Sequence, residues 1–343
     1  MAVTPSTYSR RWHVVASALA NGPGSNPIDL APVDGRELPV FAQQNGVSSL
    51  LDQALAHGRA DGLSATSRQK LRQQAHHDAA QNLAQNHSLN ELDQLFKSHQ
   101  LQGLLLKGAA LVQLGLLEGR LRPRCDTDLW IHPDQIRPVT AMLAGAGYRI
   151  INLEPATRSR KQFQVSREAF DGAPLWFDVH YRLSNRALFA NALDFDHCLQ
   201  ATPGGRQDGL RPLEISALLL HLCLHLFGHG RGREQDRLLW LFDIHSVYGG
   251  LAAPERGAFE ALALASGHGA LCAHALRACR EAFNTSIADT ELALLDRHRN
   301  EEMSARLLRA SPWRWAWTDF QAQEGLGKKF QFLQEIIRNQ ITR

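Results

Sequence analysis

The sequence lacks any apolar run of the roughly 18 to 20 uncharged residues that a membrane-spanning helix needs. Its start, Met-Ala-Val-Thr-Pro-Ser-Thr, also lacks the apolar core of a secretory signal. From these two absences we expect no membrane partner. We therefore expect a cytoplasmic protein.

Cysteine is scarce and scattered. The five residues, Cys125, Cys198, Cys223, Cys272 and Cys279, include no Cys-x-x-Cys motif. Neither a disulfide framework nor a structural zinc site is indicated by such spacing. We interpret them as reduced thiols.

Charge of one sign is not in large excess either. The formal net charge is +3, and the basic residues are dispersed, which does not favour nucleic acid as a partner. What the sequence does contain is apolar residues. A hydrophobic content of 44% in 343 residues is enough for a sizeable core, and we expect two packed units.

Helical patterns fill the first hundred residues. Apolar spacing typical of helices occurs over Arg10 to Ala20 and over Pro39 to His57. A long helix then begins at a cap, Ser64 or Thr66. Because a second start signal, Ser88-Leu-Asn-Glu91, has the form of a capping box, the long helix is either one element or two.

From Gly103 the pattern changes to short strands that alternate with helices. Strands are predicted over Gly103 to Lys107, Thr127 to His132, Tyr148 to Asn152, Gln162 to Arg167 and Pro174 to Tyr181, and helices over Ala109 to Leu117 and Pro133 to Ala146. After Asn185 helices are predicted over Leu213 to Phe227, Gln235 to Tyr248, Pro254 to Ala265, Gly269 to Phe283, Asp289 to Arg297, Glu301 to Leu308 and Phe330 to Ile341.

These patterns predict an α+β fold in which a small mixed β-sheet core lies between helical segments. We divide the chain into a helical N-terminal region at residues 1–100, an α/β core at residues 101–185 and an all-helical C-terminal domain at residues 186–343.

Three aspartates in strand-like surroundings are the most informative residues. Asp126 and Asp128 open a predicted strand and therefore point to the same face, while Asp178 lies inside the apolar run Trp176-Phe-Asp-Val179. Carboxylates on adjacent strands are hard oxygen ligands for Mg²⁺. The chemistry that they suggest is phosphoryl or nucleotidyl transfer. Taken alone, Asp126 and Asp128 are also explained by a turn or a cap.

Positive charge lies close to these acids along the chain. The pair Lys107-Gly108 ends an apolar run, and three arginines alternate before Asp126, of which Arg124 is the nearest. A guanidinium group at that place could bind phosphate. A solvated loop is the alternative explanation.

The order Lys107-Gly108, Asp126-x-Asp128, Asp178 resembles that of the nucleotidyltransferase superfamily whose fold is shared with DNA polymerase β. A bacterial branch of it, described only as nucleotidyltransferase family protein, is similar in LLLKGAAL, RPRCDTDLWI, WFDVHYRL and a helical stretch with LLLHLCLHLF and RLLWLFDI. This resemblance runs over about residues 101–250. It implies that residues 101–185 form a nucleotidyltransferase-like core.

The resemblance also implies an activity. It is the Mg²⁺-dependent transfer of a nucleoside monophosphate from ATP or GTP to a hydroxyl-type acceptor, which is a small molecule, a peptide or protein, or an RNA end. Two Mg²⁺ ions are implied, with Mn²⁺ as an alternative. Asp126, Asp128 and Asp178 would be both the metal ligands and the catalytic residues, and Asp178 would help to deprotonate the attacking hydroxyl.

Further residues are assigned by the same resemblance. Lys107, Gly108 and Arg124 would contact the nucleotide phosphates, and His180, Arg237 and Asp243 would support the site from close by. The chain departs from the wider superfamily at Ala109, where a glycine or serine usually follows the glycine. The hydroxyl contact with phosphate that a serine makes is therefore absent.

Two other classes of function stay open. One is a nucleotide-binding or interaction module that keeps the fold without turnover. The other is a metal-dependent hydrolase or a structural metal site, because His221, His225 and His229 recur every fourth residue and Asp243 and His245 follow on the next helix. The leucines around the first two histidines favour core histidines over metal ligands.

One aromatic segment is assigned no site. Trp313, Trp315 and Trp317 alternate close to Phe320. They suit either a partner surface or an amphipathic element that covers the core.

Overall fold

The computed structural model describes residues 10–35, 37–153, 161–168, 172–202, 207–228, 237–309, 312–323 and 325–341. Its strands are β1 (Ile28–Asp29), β2 (Ala60–Asp61), β3 (Gln102–Leu105), β4 (Asp126–Trp130), β5 (Arg149–Ile151), β6 (Gln162–Glu168), β7 (Pro174–His180) and β8 (Gly209–Pro212). Its helices are α1 (Arg10–Ala20), α2 (Glu37–Gln44), α3 (Ser48–Ala56), α4 (Ala65–Ser98), α5 (Lys107–Gln113), α6 (Ile136–Gly145), α7 (Phe195–Ala201), α8 (Ile215–His225), α9 (Leu238–Gly250), α10 (Ala253–Ala265), α11 (Gly269–Phe283), α12 (Asp289–Asp296), α13 (Pro312–Gln321) and α14 (Gly325–Ile341).

A mixed sheet of six strands lies at the centre of the chain, in the order β5-β6-β7-β4-β3-β8. β4 runs parallel to β7 and antiparallel to β3, and β6 is antiparallel to both β5 and β7. The predicted α+β fold with a small mixed sheet and a helical C-terminal region is confirmed. One strand of this sheet was not predicted: β8, in the region predicted to be all-helical, pairs in parallel with β3 at the sheet edge. The two-residue strands β1 and β2, which pair with each other outside this sheet, were not predicted either.

The long helix α4 is one continuous element. It begins after Ser64, whose hydroxyl accepts a hydrogen bond from Ser67 N at 3.3 Å, as an N-cap does. The capping box predicted at Ser88 is wrong, because Ser88 lies inside α4 and is buried there. Packing against the rest of the protein keeps the helix intact past that local start signal.

Several other predicted bounds differ from the structure. The helix predicted over Pro39 to His57 is two helices, because the chain turns between them at Gly46, whose φ of 69° suits glycine. The helix predicted over Glu301 to Leu308 is a 3-10 helix, Ser304–Arg309. The short helix α7 was not predicted, and the alternating tryptophans lie on a helix, α13.

Buried apolar side chains form a cluster that runs through all three predicted regions. It includes Leu19 of α1, Phe177 of β7 and Leu276 of α11. The helices on both sides of the sheet therefore share one core with it and hold it in place. All five cysteines are free thiols. No helix in the described part of the chain combines the length and the apolar character that crossing a bilayer requires.

Candidate active site

The pairing of β4 with β7 brings the predicted acids onto one face of the sheet. In the parallel register Asp128 lies opposite Asp178, and Asp126 lies opposite Trp176. Side chains alternate along a strand, so that Asp126 and Asp128 share a face with Asp178 and with His180, two residues further along β7. The sequence-predicted acids are thus neighbours in space.

Asp128 is the most enclosed of the three acids, with 5% of its surface exposed. Its Oδ1 accepts a hydrogen bond from Lys107 Nζ at 2.7 Å and lies 3.1 Å from His180 Nε2. Burial alone would raise the pKa of Asp128, but the charge of Lys107 and the hydrogen bond to His180 outweigh it and hold the pKa well below its usual value. Asp128 is therefore a carboxylate at neutral pH.

Lys107 is held in an uncommon backbone conformation at the turn from β3 to α5. Its φ is 47°, in the left-handed region that residues other than glycine rarely adopt. Burial acts to lower the pKa of its ammonium group, but attraction to Asp128 and Asp126 raises the pKa above the ordinary value. The side chain is thus a fixed cation among the acids.

Asp126 lies at the start of β4 and is partly buried. Burial and the negative charge of Asp128 raise its pKa to about 6, against the opposing effect of Lys107. A carboxyl group with such a pKa is close to gaining a proton at neutral pH. A divalent cation bound nearby would favour its ionised form.

Asp178 is oriented by two glutamines of the neighbouring strand. Gln162 Nε2 donates to its Oδ2 at 2.8 Å, and Gln164 Nε2 donates to its Oδ1 at 2.9 Å. Both glutamines lie on the same face because β6 pairs with β7 in the register Gln164 to Asp178. The carboxylate therefore has a fixed direction without a positive partner among these contacts.

Asp128, Asp178 and His180 form a group that suits a metal ion. Each offers one ligand atom, and these atoms lie within 4.8 Å of one another. Two carboxylates and an imidazole nitrogen are a donor set for divalent ions such as Mn²⁺ and Mg²⁺. The group differs from the predicted set, because His180 belongs to it whereas Asp126 flanks it on the same face.

Arg124 is a buried cation, two of whose hydrogen-bond donor atoms have no partner among the described residues. Its Nη2 donates to Asn86 Oδ1 of α4, but its Nε and Nη1 are buried without a partner among the described residues. Burial, and then repulsion by Arg122, lower its pKa to about 10, against attraction by Asp126. Since unmet donors of a buried guanidinium are costly, this place favours an anion.

Arg122 has a different role, which the sequence analysis missed. Its Nε and Nη2 bind the two carboxylate oxygens of Asp243 in α9 at 3.2 and 2.7 Å. A Cβ atom built on Gly108 would lie 2.9 Å from Arg122 Cζ, so that glycine is needed at that position for the guanidinium to fit. Asp243 therefore ties the helical region to the turn that carries Lys107.

A buried polar stripe of α4 holds the segment that leads into β4. Asn82 Nδ2 donates to the carbonyl of Arg122 at 3.0 Å, and Gln85 Oε1 accepts from the Thr127 hydroxyl at 3.3 Å. With Asn86 bound to Arg124, three successive contacts fix the arginines relative to the sheet. In the sequence, these contacts were indicated by polar residues at helical spacing in a helix that has few apolar residues.

The histidine-based alternative finds no support among the described residues. Asp243 is paired with Arg122, and His245 Nδ1 lies 2.8 Å from the hydroxyl of Thr285. The metal-ligand group in the described part of the chain contains neither His221 nor His225. His229 lies outside the described residues.

His221 belongs instead to the surroundings of the site. Burial and the charge of Lys107 lower its pKa to about 3, which leaves the ring neutral. Its Nε2 is buried without a hydrogen-bond partner among the described residues. It stacks on His225 at a centroid distance of 6.3 Å, as a core histidine does.

Two remaining features are the predicted supporting residue Arg237 and the tryptophan segment. The Arg237 guanidinium lies over the ring of Trp240 at 5.8 Å, close to the start of α9. Trp315 packs beside the 3-10 helix, where its Nε1 donates to the Leu307 carbonyl at 3.1 Å, whereas Trp317 is 56% exposed. The side chain of Trp313 lies outside the described residues.

Comparison with known proteins agrees with this geometry. A family model described as "Uncharacterised nucleotidyltransferase" matches residues 32–284. The match extends well beyond residues 101–250, because it takes in helices on both sides of the sheet as well as every residue of the site. Neither curated proteins nor solved structures provide a match.

Proposed function

Because the chain belongs to the uncharacterised nucleotidyltransferase family, we propose that it transfers a nucleoside monophosphate from ATP or GTP to a hydroxyl group of an acceptor in a Mg²⁺-dependent reaction. The observation that carries this proposal is the convergence of ligand atoms of Asp128, Asp178 and His180 within 4.8 Å, beside Arg124, which has two unmet guanidinium donors among the described residues and whose charge interacts with Asp126 and Asp128. Metal ligands beside a buried cation suit a nucleoside triphosphate.

The acids and the histidine would hold the metal. Asp128 and Asp178 provide oxygen ligands, His180 provides a nitrogen, and Asp126 stands next to them on β4. When bound, one or two divalent ions would offset negative charge on the triphosphate and on the departing pyrophosphate. The imidazole makes Mn²⁺ a second candidate beside Mg²⁺, since nitrogen ligands suit the softer ion better.

The positive side chains would bind the phosphates. Arg124 has Nε and Nη1 available for oxygen atoms, and a planar guanidinium suits two phosphate oxygens at once. Lys107 provides a second cation beside the acids. Together they would stabilise charge that builds up on the phosphate oxygens during transfer. Gly108 contributes by leaving room for Arg122.

We propose that Asp178 is the residue that activates the hydroxyl group of the acceptor. Its carboxylate is oriented by the uncharged side chains of Gln162 and Gln164. Such a carboxylate can accept the proton of the attacking hydroxyl.

A nucleotide-binding module without turnover is the second candidate, and one contact favours it. Lys107 Nζ lies 2.7 Å from Asp128 Oδ1, on a carboxylate of the metal-ligand group. An ammonium group at that place offsets the negative charge of the carboxylate, as a metal ion would. If the lysine stays there when nucleotide binds, the triphosphate can be held without being cleaved.

Two measurements separate the candidates. Titration calorimetry with Mg-ATP and Mg-GTP measures binding, and a pyrophosphate-release assay with pooled small-molecule, peptide and RNA acceptors measures transfer. We expect release that disappears in Asp128→Asn and persists in Asp134→Asn, a matched change at an aspartate whose side chain is 91% exposed. Nucleotide binding without release across the pool would favour the module, and failure to bind either nucleotide would contradict both candidates.

A further inference from the structure

The face of the sheet that carries the acids holds a tryptophan at each end of the β4–β7 pairing. Trp130 lies opposite His180, and at the other end Trp176 lies opposite Asp126. Because side chains alternate along a strand, both indole rings are on the same face as the carboxylates. The carboxylates of the metal-ligand group form the row between these two pairs.

The two tryptophans differ in how they are packed. Trp130 is 2% exposed, and its ring packs edge-on against the ring of Phe195 at a centroid distance of 5.2 Å. Trp176 is partly exposed, as is Asp178 two residues further along β7, and no ring of another described residue packs against it. The face is therefore closed by side chains at the Trp130 end, whereas at the Trp176 end an indole borders the acids at an open surface.

The main core lies behind Trp176, on the other face of the sheet. Leu175 and Phe177, its neighbours on β7, are buried on that face. The helix α4 packs there, where Gln85 Oε1 accepts from the hydroxyl of Thr127 at 3.3 Å. Part of the indole of Trp176 instead stays in water beside carboxylates, where it offers a flat surface to a ligand.

The phosphate-binding part of the proposed site lies at the same end as Trp176. Arg124, whose Nε and Nη1 have no partners among the described residues, precedes Asp126 by two positions and is attracted by its charge. In a nucleotide one ribose joins the base to the α-phosphate, and neighbouring strands are about 4.8 Å apart. A triphosphate held by Arg124 and the acids can therefore place its base over the adjacent strand, where Trp176 lies opposite Asp126.

We infer that Trp176 stacks on the base of the bound nucleoside triphosphate and so contributes to the affinity of the site for nucleotides. The inference rests on the proposed function. Every base has a flat π-face, and an indole offers a wide one in return. Stacking needs no particular hydrogen-bonding pattern on the base, so that Trp176 would hold ATP and GTP alike. Alanine in place of a stacking aromatic residue weakens binding of a base by about fivefold to a hundredfold.

Titration calorimetry on the full chain tests the inference with two probes, Mg-ATP and Mg-tripolyphosphate. The second probe carries a chain of phosphates but neither ribose nor base. We expect Trp176→Ala to weaken Mg-ATP binding by about tenfold or more and to leave Mg-tripolyphosphate binding within about twofold of the wild type. Trp176→Phe keeps a ring and should stay within about threefold for both probes. Trp317→Ala removes a 56% exposed tryptophan of α13, and as the matched control it should bind both probes as the wild type does.

Tryptophan fluorescence tests the contact itself. A base that stacks on an indole quenches its emission, so that Mg-ATP should lower the fluorescence of the wild type. Since the chain has seven tryptophans, the signal is assigned by comparing two variants that each remove one indole. The quenching should be lost in Trp176→Phe and kept in Trp317→Phe. Mg-tripolyphosphate, which has no base, should quench none of the three proteins.

The inference is overturned if Trp176→Ala binds Mg-ATP as tightly as the wild type does. It is also overturned if the variant weakens both probes equally, because the indole would then support the site without touching the base. Normal Mg-ATP binding with lost pyrophosphate release in Trp176→Ala would overturn it as well and assign the ring to the acceptor. Base-dependent binding through Trp176 without pyrophosphate release in the wild type would support the inference and contradict the transferase proposal. A wild type that binds neither probe would contradict both.

Discussion

Replacement of Gly108 by alanine perturbs the contact that joins the helical region to the site. The new methyl group would lie 2.9 Å from Arg122 Cζ and Nη1, closer than carbon and nitrogen atoms can approach. Arg122 cannot move without loss, because its Nε and Nη2 bind Asp243 and its Nη1 donates to the Pro123 carbonyl at 2.8 Å. Gly108→Ala is therefore expected to disrupt a buried ion pair.

The expected effect on stability is large. Breaking a buried, hydrogen-bonded ion pair costs about 3 to 5 kcal/mol. We take about 3 kcal/mol, since part of the guanidinium's contacts can re-form after it shifts. At about 2 °C per kcal/mol for a chain of this size, the fall in Tm is about 6 °C. Differential scanning calorimetry measures it.

Two variants make the test specific. Gly145→Ala, at a glycine with nothing within 4 Å of the added atom, is the matched control and should not lower Tm; because Gly145 ends α6, the change is neutral or slightly stabilising. If the clash acts through Arg122, the double variant Gly108→Ala with Arg122→Ala should be no less stable than Arg122→Ala alone. A Gly108→Ala protein as stable as the wild type, or a double variant whose losses simply add, would refute this reasoning.

Three further predictions concern the site. Because the folded-state pKa of Asp126 is raised above its ordinary value to about 6, its protonated form stabilises the fold at low pH, and that contribution is lost as pH rises through about 6. Asp126→Asn should remove this part of the pH dependence of Tm. Arg124→Met should weaken Mg-ATP binding by about tenfold or more in calorimetry while the apo protein keeps or gains stability, since two unmet buried donors disappear; a large loss of Tm would contradict this. His180→Asp should shift the ratio of Mn²⁺ to Mg²⁺ affinity towards Mg²⁺, because an oxygen ligand replaces a nitrogen; an unchanged ratio in metal titrations would remove His180 from the metal group.

Much of the core was predictable because strand geometry is strict. The two-residue spacing of Asp126 and Asp128 predicts a common face, and the structure places Asp178 directly opposite Asp128. Strongly periodic helices were also predictable, as at Gly269–Phe283, whose bounds agree with the structure. Local periodicity carries both kinds of information.

Other features depend on contacts between residues far apart in the chain. β8 has four residues and exists because β3 offers it a free edge, which no local pattern reveals. The capping signal at Ser88 is overridden by the packing of α4. The pairing of Arg122 with Asp243 spans 121 positions. Local spacing could therefore not indicate that Arg122 forms an ion pair whereas Arg124 keeps donors without partners.

A crystal structure of the protein with Mn²⁺ and a non-hydrolysable ATP analogue tests the central claim most directly, because the anomalous signal of manganese locates the ion without assumption. The account predicts a manganese peak between the carboxylates of Asp128 and Asp178, Lys107 displaced from Asp128, and Arg124 in contact with a phosphate. Nucleotide bound elsewhere, or a metal-free site in which Lys107 still occupies Asp128 Oδ1, would contradict it.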